Sequence, residues 1–299
     1  MPTPISVVIA TYYRNNLVHD AIESVLDQDY EPVELIVVDD SGEGHAEPVL
    51  SGYPDVTPIY LEENRGWAGA YTAGIRASTG VYVHLLDDDD YFLPEKLAKT
   101  AAVLEANPGV GVVYSGLESD VRGFQYPHPE VSGDVLEWAL RFKMYPCCTI
   151  TMLIEREVLM DVLPLPTYAD DLALKIELAK RTKFATVDEC LVYRRKEQSR
   201  KWVGLEKFAE MKRIVHHQRD LYEKHPDIRR AVLAERYEEE GQFRLEQQLW
   251  SAQAIYCFLK AAYYAEDARV RCGGQMFASL LGRPGWLTAQ RARAMFAGN

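Results

Sequence analysis

The sequence has few cysteines and lacks long apolar runs, and both features restrict the class of protein. Its five cysteines are an odd number, two of them are adjacent, and no two stand in a C-x-x-C pair. Neither a disulfide framework nor a zinc site is therefore expected. There is no stretch of 18 apolar residues and no basic segment before a cleavage site, so we expect no membrane span, no signal peptide and a cytoplasmic location.

Positive charge is also scarce. The 33 Lys and Arg residues are outnumbered by 45 Asp and Glu, which gives a formal net charge of −12. Binding to nucleic acid requires a basic surface that neutralises phosphates, so nucleic acid is not an expected partner. A small phosphorylated ligand stays open, because a metal ion can supply the positive charge locally. The 299 residues suit one large α/β domain with an appendage.

Short apolar runs alternate with helical patterns through the first half of the chain. The predicted strands are residues 5–10, 33–38, 58–61, 81–86 and 110–115, and the predicted helices are residues 15–28, 67–77 and 94–106. This β-α-β-α order predicts a mostly parallel sheet flanked by helices, with right-handed crossovers and ligands bound beyond the carboxyl ends of the strands. Residues 120–148 form a loop-rich connection, followed by a strand at 149–154 and a helix at 171–181.

The chain is predicted to have two regions, an α/β domain of residues 1–203 and a helical region of residues 204–299. Residues 237–267 weakly resemble one tetratricopeptide-like helix pair. The last segment is amphipathic and locally basic. Its apolar residues are Met276, Phe277, Leu280, Leu281, Trp286, Leu287 and Phe296, among Arg283, Arg291 and Arg293. Contact with a membrane surface and packing on the core are both open interpretations.

Polar residues follow three of the predicted strands directly, and they should converge on one crevice. The most informative are the four consecutive aspartates 87–90, because clustered carboxylates after a buried strand need compensation. A divalent cation supplies it, and hard oxygen ligands favour Mg²⁺ or Mn²⁺. The alternative is a solvated acidic turn before a helix. Asp39 and Asp40 could bind a base or a ribose, or could cap a turn.

Four motifs in this order resemble those of the family 2 glycosyltransferases of GT-A fold, over roughly residues 4–200. They are Ser6 to Arg14, Val37 to Ser41, Asn64-Arg65-Gly66, and Leu86 to Asp90 followed by Pro94 and Leu97. The resemblance implies an inverting transfer from a nucleoside diphosphate sugar. It implies that Thr11 and Tyr12 hold the base and ribose, with the Tyr12 ring as a stacking surface, and that Asp39 reads the base with Asp40 beside it.

The resemblance also implies a metal site at the D-x-D motif formed by Asp87 and Asp89. Asp89 is then the expected Mn²⁺ or Mg²⁺ ligand, with Asp87 assisting it and Asp87 or Asp88 nearer the ribose. Asp90 is interpreted as structural. Asn64 and Arg65 are assigned to donor binding.

Asp170-Asp171, at the start of a predicted helix, resembles a second signature of the family. The resemblance implies that Asp171 is the general base. An N-cap role would explain the same residue without catalysis. Arg194 and Arg195, followed by Lys196, lie where the family carries basic residues near the diphosphate, although a solvated basic turn is equally consistent.

Two departures from the family pattern concern the nucleotide contacts. Tyr13 stands where the family commonly has Asn, and Ala70-Tyr71-Thr72 replaces its Ala-Arg-Asn, so that Arg65 is a candidate substitute for the missing arginine. Gln198 and Trp202 superficially match a motif of processive synthases, but Lys201 replaces its arginine. We therefore expect the addition of a single sugar.

The predicted function is metal-dependent transfer of a sugar to a hydroxyl of a glycan or lipid-linked acceptor, by a cytoplasmic protein that could lie at the inner membrane face. Two alternatives are a sugar-1-phosphate nucleotidyltransferase and a catalytically silent module that binds a nucleotide or a partner. The first should have a Gly-rich phosphate loop after the first strand, and residues 11–14 are not one. The second is disfavoured by the intact set of Asp87, Asp89 and Asp171.

Overall fold

The computed structural model describes residues 2–168, 170–195, 204–265 and 269–297. The chain divides into two compact units, Met1–Glu197 and Gln198–Asn299. The first contains a nine-stranded sheet with helices packed against it, and the described part of the second is helical. The predicted fold class, an α/β sheet flanked by helices with a helical region after it, is confirmed.

All five strands predicted in the first half of the chain are present, and the sheet contains four more. The strands are β1 (Ile5–Thr11), β2 (Val33–Asp39), β3 (Val56–Tyr60), β4 (Tyr82–Asp87), β5 (Tyr91–Phe92), β6 (Val110–Ser119), β7 (Gly123–Gln125), β8 (Met152–Glu155) and β9 (Lys183–Arg194). Their order is β3-β2-β1-β4-β8-β6-β9-β5, and β7 pairs with β6.

Strands β3, β2, β1 and β4 form a parallel half-sheet whose central strands are buried on both faces. Their continuous apolar sequences are what such a position requires. The register pairs Thr11 with Asp39 and Ala10 with Asp87. The polar residues that end β1, β2 and β4 therefore lie at one edge of the sheet, as the sequence predicted.

The other half of the sheet is mixed, which corrects the prediction of a mostly parallel sheet. Strand β8 is antiparallel to both β4 and β6, and β5 is antiparallel to β9, whereas β6 and β9 are parallel. The cause is the connection between β6 and β8, which turns back through β7 and a five-residue helix instead of a full crossover helix. Pairing of β5 with β9 sets Tyr91 opposite Tyr193, beside the aspartate run.

The helices of the first unit cover the sheet. They are α1 (Asn15–Leu26), α2 (Glu47–Leu50), α3 (Gly66–Ala77), α4 (Lys96–Ala106), α5 (Leu136–Leu140), α6 (Arg156–Met160) and α7 (Asp170–Ala179). In α3, Gly74 permits a close approach to the sheet, because a Cβ there would lie 2.2 Å from Cγ1 of Val8. Residues 149–151 form a 3-10 turn before β8, where a strand was predicted, and α4 begins two residues after Pro94.

The second unit contains α8 (Leu205–His217), α9 (Arg219–Lys224), α10 (Pro226–Gln247), α11 (Ala252–Tyr264), α12 (Arg269–Ser279) and α13 (Gly282–Ala297). The α10 and α11 helices pack closely through Gly241 and the ring of Phe258. Ser251 caps α11 by accepting a hydrogen bond from the backbone N–H of Ala254 at 3.3 Å. Within the described residues, no helix is both long and apolar enough to cross a bilayer.

Candidate active site

A cluster of carboxylates lies at the carboxyl end of β4. Ligand oxygens of Asp87, Asp89 and Asp90 lie within 4.8 Å of one another. Burial and the neighbouring negative charges raise the pKa of Asp87 to about 7 and that of Asp90 to about 8. Closely spaced, partly dehydrated carboxylates of this kind fit a hard divalent cation such as Mg²⁺ or Mn²⁺. Asp90, interpreted as structural from the sequence, therefore belongs to the cluster, and its carboxylate also accepts from the backbone N–H of Arg195 at 3.0 Å.

Asp88 is not part of this group of ligand oxygens and forms hydrogen bonds with residues at and after the end of β1. Its carboxylate accepts a hydrogen bond from the hydroxyl of Thr11 at 2.8 Å and from the guanidinium of Arg14 at 3.0 Å. Burial raises the pKa of Asp88, and these two donors lower it. The interaction fixes the end of β4 to the end of β1, so Thr11 has a structural contact in addition to the donor-binding role that the sequence suggested.

Arg14 is a site residue to which sequence analysis gave no role. One nitrogen of its guanidinium lies 3.0 Å from Asp88 Oδ1 and 2.8 Å from Asp89 Oδ2. It therefore supplies positive charge to the carboxylate that is the expected metal ligand. The signal in the sequence was weak, since Arg14 belongs to the β1 motif but lies 75 residues from Asp89.

Tyr71 is a second residue without a predicted role. Its buried hydroxyl lies 2.8 Å from the carbonyl oxygen of Leu86 and 2.9 Å from Oδ1 of Asp87. The hydrogen bond to Asp87 lowers the pKa of that carboxyl, against the larger effect of burial. Tyr71 occupies the place of the arginine that the family pattern led us to expect, so a neutral donor stands where a cation was anticipated.

Asp39 and Asp40 organise the loops beside the site. Asp39 accepts from the backbone N–H of Ser41 at 2.9 Å and of Ala46 at 2.7 Å, which is the turn-capping role left open by the sequence. Asp40 accepts from the backbone N–H of Arg65 at 2.7 Å. Both carboxylates are buried, and burial raises the pKa of Asp40.

The loop of Asn64 and Arg65 is held by the end of β2. The side-chain amide of Asn64 donates to the carbonyl oxygen of Asp40 at 3.3 Å. The Arg65 side chain is half exposed, and its nearest ion-pair partner is Glu63 at 3.8 Å. Neither residue touches the acidic cluster, and contact of Arg65 with a donor stays a prediction.

The two tyrosines after β1 are solvent-accessible and meet edge to face, with ring centroids 4.7 Å apart. Tyr12 is thus available as a stacking surface. Tyr13 has a φ of +54°, in the left-handed region that Asn adopts more readily than an aromatic residue. This conformation gives a physical reason for an Asn at this position in the family. The Tyr13 hydroxyl donates to Glu43 at 3.0 Å, and its ring lies 4.7 Å from that of His45.

Asp171 lies in the first turn of α7 and is paired with Lys175 one turn later. The buried ammonium of Lys175 donates to Asp171 Oδ2 at 3.0 Å and to the carbonyl oxygen of Cys147 at 2.8 Å. One oxygen of the Asp171 carboxylate is thereby held by the buried Lys175 side chain. Sequence analysis missed Lys175, although its i+4 spacing from Asp171 was a usable signal. The side chain of Asp170 lies outside the described residues.

The charge of Arg194 acts on the acidic cluster and on the buried thiol of Cys148. Its charge lowers the pKa of Asp87 and of Asp90. Burial raises the pKa of Cys148 to about 11, with Arg194 lowering and Asp171 raising it. Arg194 and Asp171 therefore both lie within electrostatic range of this buried thiol.

The side chain of Arg195 contacts Asp20 and Tyr91 instead of the acidic cluster. Its guanidinium pairs with Asp20 and lies 5.3 Å from the centroid of the Tyr91 ring. Of the two arginines predicted near the diphosphate, Arg194 is the one whose charge acts on the cluster. Lys196 and the synthase-like segment from Gln198 to Trp202 lie outside the described residues.

The family model described as glycosyl transferase family 2 matches residues 6–163, which is more than half of the chain. The chain belongs to glycosyl transferase family 2. The matched region contains β1 to β8 and every aspartate discussed above except those of α7.

Two curated relatives of this family 2 chain are described only as uncharacterized glycosyltransferases. It is 31% identical over 172 residues to an uncharacterized glycosyltransferase of Nostoc sp., covering 54% of this chain and 53% of that protein. It is 36% identical over 129 residues to the uncharacterized glycosyltransferase YwdF of Bacillus subtilis, covering 41% and 47%. The matches therefore span about half the length of these relatives.

Solved structures share the fold of this family 2 chain. TarS of S. aureus, residues 1–349 in complex with UDP-GlcNAc, superposes with a TM-score of 0.70 at 16% identity, covering 98% of this chain and 92% of that one. The mannosyltransferase PcManGT of Pyrobaculum calidifontis, in complex with GDP-Man and Mn²⁺, has a TM-score of 0.55 at 18% identity, covering 99% and 81%. At these identities the likeness shows the fold alone.

Proposed function

We propose that the chain is a metal-dependent, inverting glycosyltransferase that transfers one sugar from a nucleoside diphosphate sugar to a hydroxyl acceptor, a glycan or a lipid-linked sugar. The observation that carries the proposal is the cluster of Asp87, Asp89 and Asp90 at the carboxyl end of β4 in a family 2 chain. TarS was solved with UDP-GlcNAc, and PcManGT with GDP-Man and Mn²⁺, which supports this donor class.

Each polar group at the sheet edge has a role in this proposal. Asp89 and Asp87, with Asp90, would hold Mn²⁺ or Mg²⁺, which supplies positive charge to the diphosphate. The exposed ring of Tyr12 offers a face to the base. The loops held by Asp39 and Asp40 would border the nucleotide, and Arg194 would supply positive charge to the departing diphosphate.

Asp171 is proposed as the general base. A sugar hydroxyl has a very high pKa and must lose its proton as it attacks the anomeric carbon. Lys175 fixes one oxygen of the Asp171 carboxylate and leaves the other to accept that proton. Attack on the face opposite the diphosphate breaks the anomeric C–O bond and inverts the configuration, and no covalent intermediate is needed.

Donor turnover tests this function without knowledge of the acceptor. Uridine, guanosine and thymidine diphosphate sugars are incubated with the chain and Mn²⁺, and release of the nucleoside diphosphate is measured. We expect slow release from one base class, which is lost in Asp171→Asn. Release of pyrophosphate from a nucleoside triphosphate and a sugar 1-phosphate would instead indicate a nucleotidyltransferase. Absence of both reactions, with nucleotide binding retained, would indicate a silent module.

A further inference from the structure

The second unit exposes a compact apolar surface that two separate segments build. The first segment is the loop between α10 and α11, with Leu249 76% and Trp250 55% exposed. The second is the end of α12 with the turn that leads to α13, where Leu281 is 77% exposed and Phe277 and Leu280 are also exposed. We call these five residues the apolar tip. Large side chains so exposed at adjoining turns exceed the scattered apolar residues of an ordinary surface.

The two segments of the apolar tip are fixed to each other. The indole N–H of Trp250 donates to the carbonyl oxygen of Leu280 at 3.2 Å, and the backbone N–H of Arg283 donates to that of Leu249 at 2.7 Å. Gly282, with a φ of +68°, permits this approach, because a Cβ there would lie 2.3 Å from the Leu249 oxygen. The tip is therefore preformed.

The fold separates the apolar residues of this region into two sets. Trp286 is buried with Leu245, Ala254 and Phe258, and Met276 and Leu287 pack against that cluster. These residues account for the core-packing interpretation of the amphipathic segment. Phe277, Leu280 and Leu281 of this segment belong to the tip, and the other two tip residues, Leu249 and Trp250, lie outside the segment that the sequence analysis had singled out.

The charge of the segment around the tip indicates which kind of surface the tip contacts. Residues 268–299 contain five arginines and no Asp or Glu, in a chain whose formal net charge is −12. Two of these arginines, Arg283 and Arg291, are exposed, and Arg283 directly follows the tip. An apolar tip that contains Trp and is followed by an exposed arginine, in a segment without Asp or Glu, matches an anionic lipid surface better than it matches an uncharged protein surface.

We propose that the apolar tip and the adjoining arginines dock this chain on the surface of an anionic bilayer. The aliphatic and aromatic side chains enter the interface between headgroups and acyl chains, where Trp is favoured, and the arginines contact lipid phosphates. This inference goes beyond glycosyl transfer and does not depend on it, since binding to vesicles is measured without donor or acceptor.

Flotation of the full chain with vesicles tests the proposal. Vesicles of phosphatidylcholine with about a third phosphatidylglycerol should bind the chain at low salt, pure phosphatidylcholine should bind it weakly, and raised salt should release it. Leu281→Glu should lower the partition coefficient about tenfold or more by placing a charge in the tip. The double change Arg283→Gln and Arg291→Gln should lower it about fivefold for each arginine and should remove most of the preference for the anionic lipid.

Leu259→Glu is the matched control, because Leu259 is 52% exposed on α11 and lies outside the tip. It should bind vesicles as the parent chain does, and circular dichroism should show all variants folded. Equal binding of Leu281→Glu and the parent, or no preference for the anionic vesicles, would overturn the proposal. So would a chain that ignores vesicles but changes from dimer to monomer with Leu281→Glu, because the tip would then join two copies.

Discussion

The guanidinium of Arg14 lies 2.8 Å from Asp89, the carboxylate expected to bind the metal, and 3.0 Å from Asp88. Arg14 is therefore a counter-ion of Asp88 and Asp89. A metal on Asp89 would have to share this carboxylate with Arg14 or displace it. Competition of this kind would make metal affinity depend on a residue that is not itself a ligand.

Arg14→Gln should consequently strengthen Mn²⁺ binding about tenfold, because a neighbouring positive charge no longer opposes the cation. The same change should lower the free energy of unfolding of the metal-free chain by about 1–2 kcal/mol, since buried Asp88 loses a donor. This figure allows for solvent screening, as the Arg14 side chain is 37% exposed.

Calorimetric titration with Mn²⁺ and urea unfolding in a chelator measure the two effects of Arg14→Gln. Arg76→Gln is the control, because it removes the same charge from the exposed end of α3. If both variants bind Mn²⁺ equally well, the effect comes from net charge and not from competition at Asp89.

Asp171→Asn should retain donor binding and lower turnover by about 10²- to 10⁴-fold, as expected for loss of a general base. Nucleoside diphosphate release and donor affinity are measured in parallel. Asp188→Asn, at an exposed carboxylate on β9, should behave as the parent chain. Activity near the parent level in Asp171→Asn would move the base to another residue.

Lys175→Met tests whether the ion pair positions the carboxylate of Asp171. It should lower kcat about tenfold or more while the donor KM stays nearly constant, because the ground-state donor contacts are untouched. Lys175→Arg, which keeps the charge, should restore part of the rate. A purely structural role for Lys175 would instead lower the Tm of the Met variant without a selective loss of kcat.

Because Lys96 is buried, we expect the stability of the fold to depend on pH. Its buried ammonium donates to Ser115 at 3.1 Å and to the carbonyl oxygen of Thr151 at 2.7 Å, with no carboxylate among these partners. Burial lowers the pKa of Lys96 to about 7, from 10.5. Between these values the unfolded chain binds a proton that the folded chain does not, so this residue makes stability rise with pH.

The free energy of unfolding of the parent chain should therefore rise by about 2 kcal/mol relative to that of Lys96→Met between about pH 7 and about pH 9. Because the variant keeps the other titrating groups, their contributions cancel when its free energy of unfolding is subtracted from that of the parent. Urea unfolding at intermediate pH values measures it. Parallel stability profiles for parent and variant would show that Lys96 keeps its ordinary pKa in the fold.

The parallel half of the sheet was predictable because each strand is a continuous apolar run followed by polar residues. The mixed half was not, because the direction of β8 depends on how residues 120–148 turn back, and no local pattern encodes this. The same distinction applies to the site. The aspartates stand in recognisable motifs, whereas Arg14 and Tyr71 act on carboxylates 75 and 16 residues away through tertiary contacts.

The capping of Asp39 shows a further limit of motif reading. A family motif assigned this carboxylate to the base, and the structure shows both its oxygens accepting from backbone N–H groups. A carboxylate that accepts two backbone hydrogen bonds still has lone pairs that can accept from a base. The motif therefore did not reveal the capping contacts of Asp39, and its contact with a base stays a prediction.

The most direct measurement is calorimetric titration of UDP and GDP into the chain with Mn²⁺ and with a chelator, repeated for Asp89→Asn. A metal-dependent glycosyltransferase site predicts that Mn²⁺ strengthens binding of one nucleotide about tenfold or more, and that Asp89→Asn removes this gain. Equal nucleotide affinity with Mn²⁺ and with the chelator would contradict the assignment of the acidic cluster and the metal-dependent reaction built on it.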